Sequence, residues 1–329
     1  MTYPRGLVKG QEPFDPIEVA KETERIVIDG NKGKYVKFRV ENFYGQIATA
    51  RGVGCYLRCG FCWINQSKDF PEDYGKFYSP EEVYEKLIEI SSQGYRGCML
   101  SEGVRKSGCE PTIGKDHLLQ VIEACRRGRK FKWFLLETNG ILLGNDEAYV
   151  RDLSEFGDYV KVRLSLKAGT PEAFQRKTGA KAEFFELPFK AIEHLKKYKV
   201  PYWVAAMSGD PAIMPSEERH CLFERLVRHG EENIINFDEE TADPFGITKR
   251  RLQESGIADP NEIKKMVYMP INIGLMRKIA AESGFGGLSI TELLNTTLFE
   301  TAESSCASCR LENPWHGHGV EDDLDEKLS

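Results

Sequence analysis

Gly54-Cys55-Tyr56-Leu57-Arg58-Cys59-Gly60-Phe61-Cys62-Trp63 sets three cysteines into one short loop, spaced by three residues and then by two. Thiolates hold iron–sulfur clusters, and a cubane cluster contains four irons. Three cysteines fasten three irons and leave the fourth with an open coordination position, which is where a metal centre does chemistry. Electron-carrying ferredoxins supply every ligand and use a different run of spacings. A zinc knuckle or a structural thiol cluster is the other reading of the same spacing.

Outward from the loop, the chain reads as alternating elements. Gln46 to Val53 is a strand that leads into the cysteines. Upstream, Arg25 to Ile28 and Tyr35 to Val40 gather β-formers around Asp29-Gly30-Asn31, the pattern of a hairpin. Residues 1–22, with Pro4, Pro13 and Pro16 and little periodicity, read as an extended arm. Downstream, Ser79-Pro80-Glu81-Glu82 carries a capping serine, a proline at the first helical position and a glutamate three after the cap. Val83, Leu87 and Ile90 share one face of the helix that follows, and Gly94 ends it.

Strand patterns then recur near Gly97–Lys106, Phe131–Leu136, Tyr159–Leu166, Tyr202–Met207 and Asn233–Phe237. Helical patterns fall between them at His117–Arg127, Glu147–Phe156, Glu183–Lys197 and Ser216–His229. With the strand before the cysteines this makes six βα units, which imply parallel strands joined by right-handed crossovers. Six are too few to close the usual eight-stranded barrel. The expected fold is therefore α/β, a partial (β/α)6 parallel barrel left open at three quarters, with an N-terminal hairpin and a helical C-terminal extension. Such folds carry the active site at the carboxyl ends of the strands, where the cysteine loop falls. The expected organisation is an arm and hairpin over 1–45, a core over 46–240 and an extension over 241–329. Ile271 to Glu282 is the clearest helix of that extension, ahead of a Cys-x2-Cys segment and an acidic tail.

At the cysteines the chain resembles the radical S-adenosylmethionine superfamily, whose signature is C-x3-C-x2-C with an aromatic residue, here Phe61, before the last cysteine. Ser107-Gly108-Cys109-Glu110-Pro111-Thr112 resembles the family's S-G-G-E-P-T element at the same place, between the cysteine loop and the third strand. In the family, the backbone of this element receives the methionine amino group of S-adenosylmethionine, and small residues let the main chain approach. Cys109 replaces the second glycine, and a cysteine is penalised at positive φ where glycine is not. As a fourth cluster ligand Cys109 would fill the open site, so a plain substitution is the reading adopted. Glu137-Thr138-Asn139-Gly140 carries the T-N-G common in branches related to glycyl-radical activating enzymes and to the tRNA wybutosine pathway, although Asn-Gly is also a turn dipeptide. Arg163-Leu164-Ser165-Leu166-Lys167 ends the fourth strand, where the family places a Ser, Lys or Arg on the carboxylate or ribose of S-adenosylmethionine. Ser165 and Lys167 are the candidates and Arg163 the next choice by alternation. Met207 packs near the adenine or in the core.

The resemblance implies a [4Fe–4S] cluster on Cys55, Cys59 and Cys62, and S-adenosyl-L-methionine held by Phe61, Gly108, Cys109, Glu110, Asn139, Ser165 and Lys167. It implies reduction of the cluster by a flavodoxin or ferredoxin, then reductive cleavage of S-adenosylmethionine to a 5′-deoxyadenosyl radical that takes a hydrogen atom from a substrate. A protein or peptide is the first substrate expected, as for an activase. tRNA base modification is a second, prompted by Trp63 and the T-N-G string, and a non-enzymatic iron–sulfur or zinc-binding protein is a third. Cys306-x2-Cys309 with His316 and His318 reads either as a second metal site, for zinc or another cluster, or as a polar tail patch. Cys98, Cys125 and Cys221 sit in strand or helix patterns and are expected to be buried thiols.

Composition frames these readings. At 329 residues, with 41% hydrophobic and 29% charged residues, the chain is an ordinary globular protein with a sizeable core. A net charge of −6 argues against a dedicated nucleic-acid binder, although short basic runs occur at Arg126–Lys132, Lys196–Lys199 and Lys249–Arg251. The N-terminal residues lack the apolar core of a signal peptide and no apolar run is long enough for a membrane. Nine sparse cysteines are then expected to be reduced thiols in a cytoplasmic protein.

Overall fold

In the computed structural model the described residues are 3–41, 44, 46–93, 102–268 and 300–301. Helix α1 (Pro16–Val27) starts where the Asp15 carboxylate accepts from the amides of Ile17 and Glu18, with Pro16 at the first position, where no donor is needed. Val19, Ala20, Thr23 and Val27 are its buried stripe. This corrects the extended arm expected over 1–22 and the strand expected from Arg25. The helix runs through Val27 and leaves only β1 (Ile28–Asp29) to pair across the turn at Gly30 with β2 (Lys32–Glu41).

β2 runs antiparallel to β3 (Ile47–Gly52), and β4 (Lys76–Tyr78) pairs with the start of β2. Helix α2 (Pro80–Gln93) opens with the expected reciprocal cap: Ser79 N donates to Glu82 at 2.7 Å and Glu82 N to Ser79 Oγ at 3.2 Å. There follow β5 (Gly103–Ser107), α3 (Lys115–Gly128), β6 (Trp133–Thr138), α4 (Ile141–Asn145), α5 (Glu147–Ser154), β7 (Val160–Leu166), α6 (Pro171–Thr178), α7 (Leu187–Lys197), β8 (Tyr202–Ala206), α8 (Ser216–Arg228), α9 (Glu232–Ile235), β9 (Asp238–Glu239) and α10 (Gly246–Ser255). β10 (Val267–Tyr268) pairs with β11 (Glu300–Thr301).

The order β3-β5-β6-β7-β8-β9 is parallel throughout, so six parallel strands are present among the described residues. The antiparallel β2 covers the free edge of β3, and among the described residues β9 pairs only with β8, so that the described sheet is open. This is the partial parallel barrel expected. The sixth strand is displaced, however. Asn233 is buried and its amide donates to the carbonyls of Gly230 at 2.9 Å and Leu226 at 3.5 Å, which extends the turn after α8 into α9 and moves β9 beyond the Asn233–Phe237 segment.

Alternation separates the two faces of the sheet. Val104, Phe134, Leu136, Val162, Leu164 and Val204 join the helices in the apolar core. The opposite face carries Arg51, Arg105, Ser107, Glu137, Arg163, Ser165 and Trp203, where Arg105 donates to Ser107 Oγ at 2.7 Å and Trp203 Nε1 to Asp238 at 2.8 Å. Cys125 is buried on α3 as expected, whereas Cys221 is exposed on α8 and is not a core thiol. Cys98, Cys306, Cys309, His316, His318, the Ile271–Glu282 helix, Gly94, the start of the Gly97–Lys106 segment and the acidic tail lie outside the described residues.

Candidate active site

The carboxyl ends of the parallel strands bring four loops to one edge. After β3 the chain turns off the sheet at Gly54, whose φ is +81° and where a Cβ would lie 2.6 Å from Thr23 Cγ2, so only glycine fits. Cys55 and Cys59 are then buried and Cys62 is half-buried, all as free thiols. Two sets of partners shape the loop. The fully buried Arg58 donates to the carbonyls of Pro4, Cys55 and Leu57. The amides of Arg58 and Gly60 donate to Thr178 O at 2.9 Å and Lys177 O at 3.0 Å, at the last turn of α6, where helix carbonyls lack partners of their own. Burial pushes the thiols of Cys55 and Cys59 up, Cys55 further so by the Glu110 carboxylate, while the ammonium of Lys167 pulls Cys59 back down.

The loop after β5 is bonded directly to the cysteine loop, with Glu110 N donating to Gly54 O at 3.0 Å. Gly108 and Cys109 are both left-handed, with φ of +75° and +53°. The second glycine of the motif is therefore replaced at a position that strains a cysteine. Cys109 Sγ lies 3.6 Å from Ser67 Oγ, and burial pushes its thiol up to about 12. The Glu110 side chain is the brace of the whole edge. One carboxylate oxygen accepts from Thr112 N (3.2 Å), Thr112 Oγ1 (2.6 Å) and Thr138 Oγ1 (2.6 Å), and the other from Asn139 N (3.0 Å). Asn139 Oδ1 in turn accepts from Tyr56 in the cysteine loop at 2.7 Å and from Ile141 N at the start of α4 at 3.0 Å.

At the end of β7, Lys167 Nζ donates to Ser165 Oγ at 2.7 Å, and its charge reaches Cys59. Arg163 is turned elsewhere: it bonds Asp238 at 3.2 Å and Glu240 at 2.8 Å, which hold it charged despite its burial. Phe61 is buried in the core beside the thiols, and Met207, just past β8, is half-buried against it. The structure thus brings Cys55, Cys59, Cys62, Cys109, Glu110, Asn139 and Lys167 to one edge and ties Arg163 into the sheet face.

Thiolates, the donors this loop offers, are those that iron–sulfur clusters take. Among the described residues no three His, Cys, Asp or Glu side chains are grouped to hold one metal ion. A cubane takes one thiolate per iron and needs its cysteines around a body rather than converging on a point.

The Radical SAM superfamily model matches residues 50–221, more than half of the chain. The chain belongs to the radical SAM superfamily. Membership in this superfamily implies S-adenosylmethionine-derived radical chemistry, with a [4Fe–4S] cluster and S-adenosylmethionine as cofactors. No curated protein matches the chain. Among solved structures it is similar to anSMEcpe with bound AdoMet, at 21% identity over 56% of this chain and 47% of that one, with a TM-score of 0.41. It thus spans less than half of that relative. It is also similar to TYW1 with a lysine-pyruvate adduct bound (20% identity, 60% of this chain and 72% of that one, TM-score 0.37). A mutant of spore photoproduct lyase matches at 12% identity over 76% of this chain and 74% of that one, with a TM-score of 0.49.

The motifs missed several residues of this radical SAM edge. Glu110 enters the motif for its backbone, yet its carboxylate ties two loops. Arg51, whose guanidinium lies 4.7 Å from the Trp63 ring centroid, forms an ion pair with Glu41 at 3.1 Å. Arg105 faces Glu137 at 3.4 Å, and Glu137 accepts from Tyr44 at 2.9 Å. A polar residue at every second strand position, as in Arg105/Ser107 and Arg163/Ser165, is the sequence signal for this charged face.

Proposed function

We propose that Cys55, Cys59 and Cys62 hold the cluster, and that the enzyme takes a hydrogen atom from a protein or peptide, with a flavodoxin or ferredoxin as reductant. When bound, the cluster and S-adenosylmethionine supply the electron transfer and the radical that this step needs. The chain's own residues position and shield. The convergence of the thiol loop, the Gly108–Glu110 loop and Lys167 on one edge, braced by Glu110, is the observation that carries the reading. Cys55, Cys59 and Cys62 would hold three of the cluster's irons, and the bound cluster would supply the position for S-adenosylmethionine. The left-handed Gly108–Cys109 backbone presents main-chain groups beside it, Lys167 offers a cation to its carboxylate, and Ser165 orients that cation. Asn139 gives its side-chain oxygen to Tyr56 and to Ile141 of α4, which keeps the third loop against the first and leaves its amide nitrogen for S-adenosylmethionine. Buried Tyr56 and Phe61 keep water from the thiols. The division into an arm and hairpin to residue 45, a core to 240 and an extension from 241 belongs to the same proposal.

The charged face of the sheet favours a polypeptide over a polyanion. Arg51, Arg105 and Arg163 each have a carboxylate partner, in Glu41, Glu137 and the pair Asp238 and Glu240. Binding phosphates there would break these pairs, whereas peptide amides and polar side chains bond to such a surface without removing charge. The net charge of −6 points the same way. The test uses extract from cells grown in deuterated medium, split into protein and RNA fractions and added to the reduced, reconstituted enzyme. Deuterium is expected in 5′-deoxyadenosine with the protein fraction. Transfer from the RNA fraction alone would replace this reading with tRNA modification.

A further inference from the structure

Beyond the segment that matches the family, one side chain reaches back into the cysteine loop. Arg251, on α10 and 7% exposed, donates Nη1 to the carbonyls of Cys62 at 2.8 Å and Ile64. Its Nη2 donates to Asn65 O at 3.3 Å and to the Asp69 carboxylate at 2.5 Å. The turn after α10 closes on the same loop. A Cβ at Gly60 would stand 2.4 Å from Ile257 Cδ1 and 2.5 Å from Ser255 Oγ, so glycine is what lets the two segments meet. The loop is therefore gripped at both ends by buried guanidinium groups, Arg58 on the Cys55 side and Arg251 on the Cys62 side. Asp69 sits between them, 3.7 Å from Arg58 Nε and 2.5 Å from Lys68 Nζ. Three buried cations face this one carboxylate, with the buried Glu110 carboxylate on the Cys55 side of the site, and a low local dielectric makes the charge of each count.

We propose that Arg251 is a positioning residue for the metal centre. It fixes the exit of the cysteine loop so that Cys62 stays in place relative to Cys55 and Cys59, and its charge favours the reduced, more negative state of the cluster. The inference rests on the reading of this loop as the cluster loop, and two kinds of measurement keep the two claims apart. In metal-free protein, alkylation of each cysteine is followed by peptide mass spectrometry in wild type, Arg251→Met and Arg251→Lys. Cys62 is expected to label about tenfold faster in Arg251→Met, as local opening becomes easier, while Cys125, buried on α3, labels at its wild-type rate. In reconstituted protein, iron retained through gel filtration is expected to fall by about half or more in Arg251→Met, and the midpoint potential of the remaining cluster to move to a more negative value. Arg251→Lys restores the potential but not the retention, because an ammonium replaces the charge without the fork of donors. Equal labelling at Cys62, a parallel rise at Cys62 and Cys125, or an unmoved potential would overturn the proposal. If Arg251→Met does not fold, the labelling ratio in Arg251→Lys decides. A wild type that takes up no cluster would defeat the cluster reading, while labelling would still test the clamp.

Discussion

Lys167 extends from the end of β7 toward Cys59, and the hydroxyl of Ser165 at 2.7 Å sets its direction. Lys167→Ala is expected to weaken S-adenosylmethionine binding by about 1.5–3 kcal/mol, the worth of a charge-assisted hydrogen bond to a carboxylate. Calorimetric titration measures it, and an unchanged dissociation constant would remove Lys167 from the site. Cys109 bears the opposite kind of expectation. Its φ of +53° costs a non-glycine residue about 1–2 kcal/mol, so Cys109→Gly should stabilise the protein to urea by about 1 kcal/mol once the greater freedom of unfolded glycine is deducted. Iron content should be unchanged, and a loss of iron in this variant would make Cys109 a ligand. Residues of these loops were legible in the sequence because each motif is local. The side-chain role of Glu110 was not, since its partners Thr138 and Asn139 lie 28 and 29 positions away. Arg251 contacts Cys62 across 189 positions and left no local trace at all.

His117 shows what joins one element to another. Its ring on α3 donates Nδ1–H to Asn31 O at 2.7 Å, in the hairpin turn, and accepts at Nε2 from Tyr35 on β2 at 2.8 Å. Burial, and secondarily the nearby Lys106 ammonium, lower its pKa to about 3. Between pH 6.5 and 3 the unfolded chain therefore binds a proton that the folded chain refuses, and stability is lost as pH falls through that window. By pH 4 the loss from this group is roughly 3 kcal/mol, at about 1.4 kcal/mol per unit. Urea unfolding of His117→Gln from pH 7 to 4 should show a correspondingly flatter slope, and a slope equal to wild type would assign the acid sensitivity elsewhere. Elements with strong local signals are readable, the Ser79–Glu82 cap and β6, α5, β7, α7, β8 and α8 among them. Helix α1 is not, because Pro16 reads as a breaker unless it is seen to occupy the first helical position. β9 lies beyond the strand expected at Asn233–Phe237 because the apolar string Ile234-Ile235 suits a strand, while the buried side-chain amide of Asn233 holds it as a turn of helix.

At the scale of the whole molecule, the parallel order of the sheet is what makes a site from weak motifs. Each βα unit returns its loop to the same edge, so thiols, glycines and a lysine scattered over more than a hundred positions meet there. That order followed from the repeated strand–helix pattern. The charged opposite face, with its Arg–Glu pairs running from β3 to β9, emerges only when the strands are laid side by side. No described helix is long and apolar enough to cross a membrane. The central claim is that three thiols on one loop hold a cluster that serves S-adenosylmethionine chemistry, and one anaerobic assay tests it most directly. Reconstituted wild type and the combined Cys55→Ala, Cys59→Ala, Cys62→Ala variant are reduced, given S-adenosylmethionine and analysed for iron and 5′-deoxyadenosine. Wild type is predicted to carry about four irons per chain and to release 5′-deoxyadenosine, and the variant to do neither. A variant that keeps its iron, or a fully loaded wild type that leaves S-adenosylmethionine intact, would contradict the account.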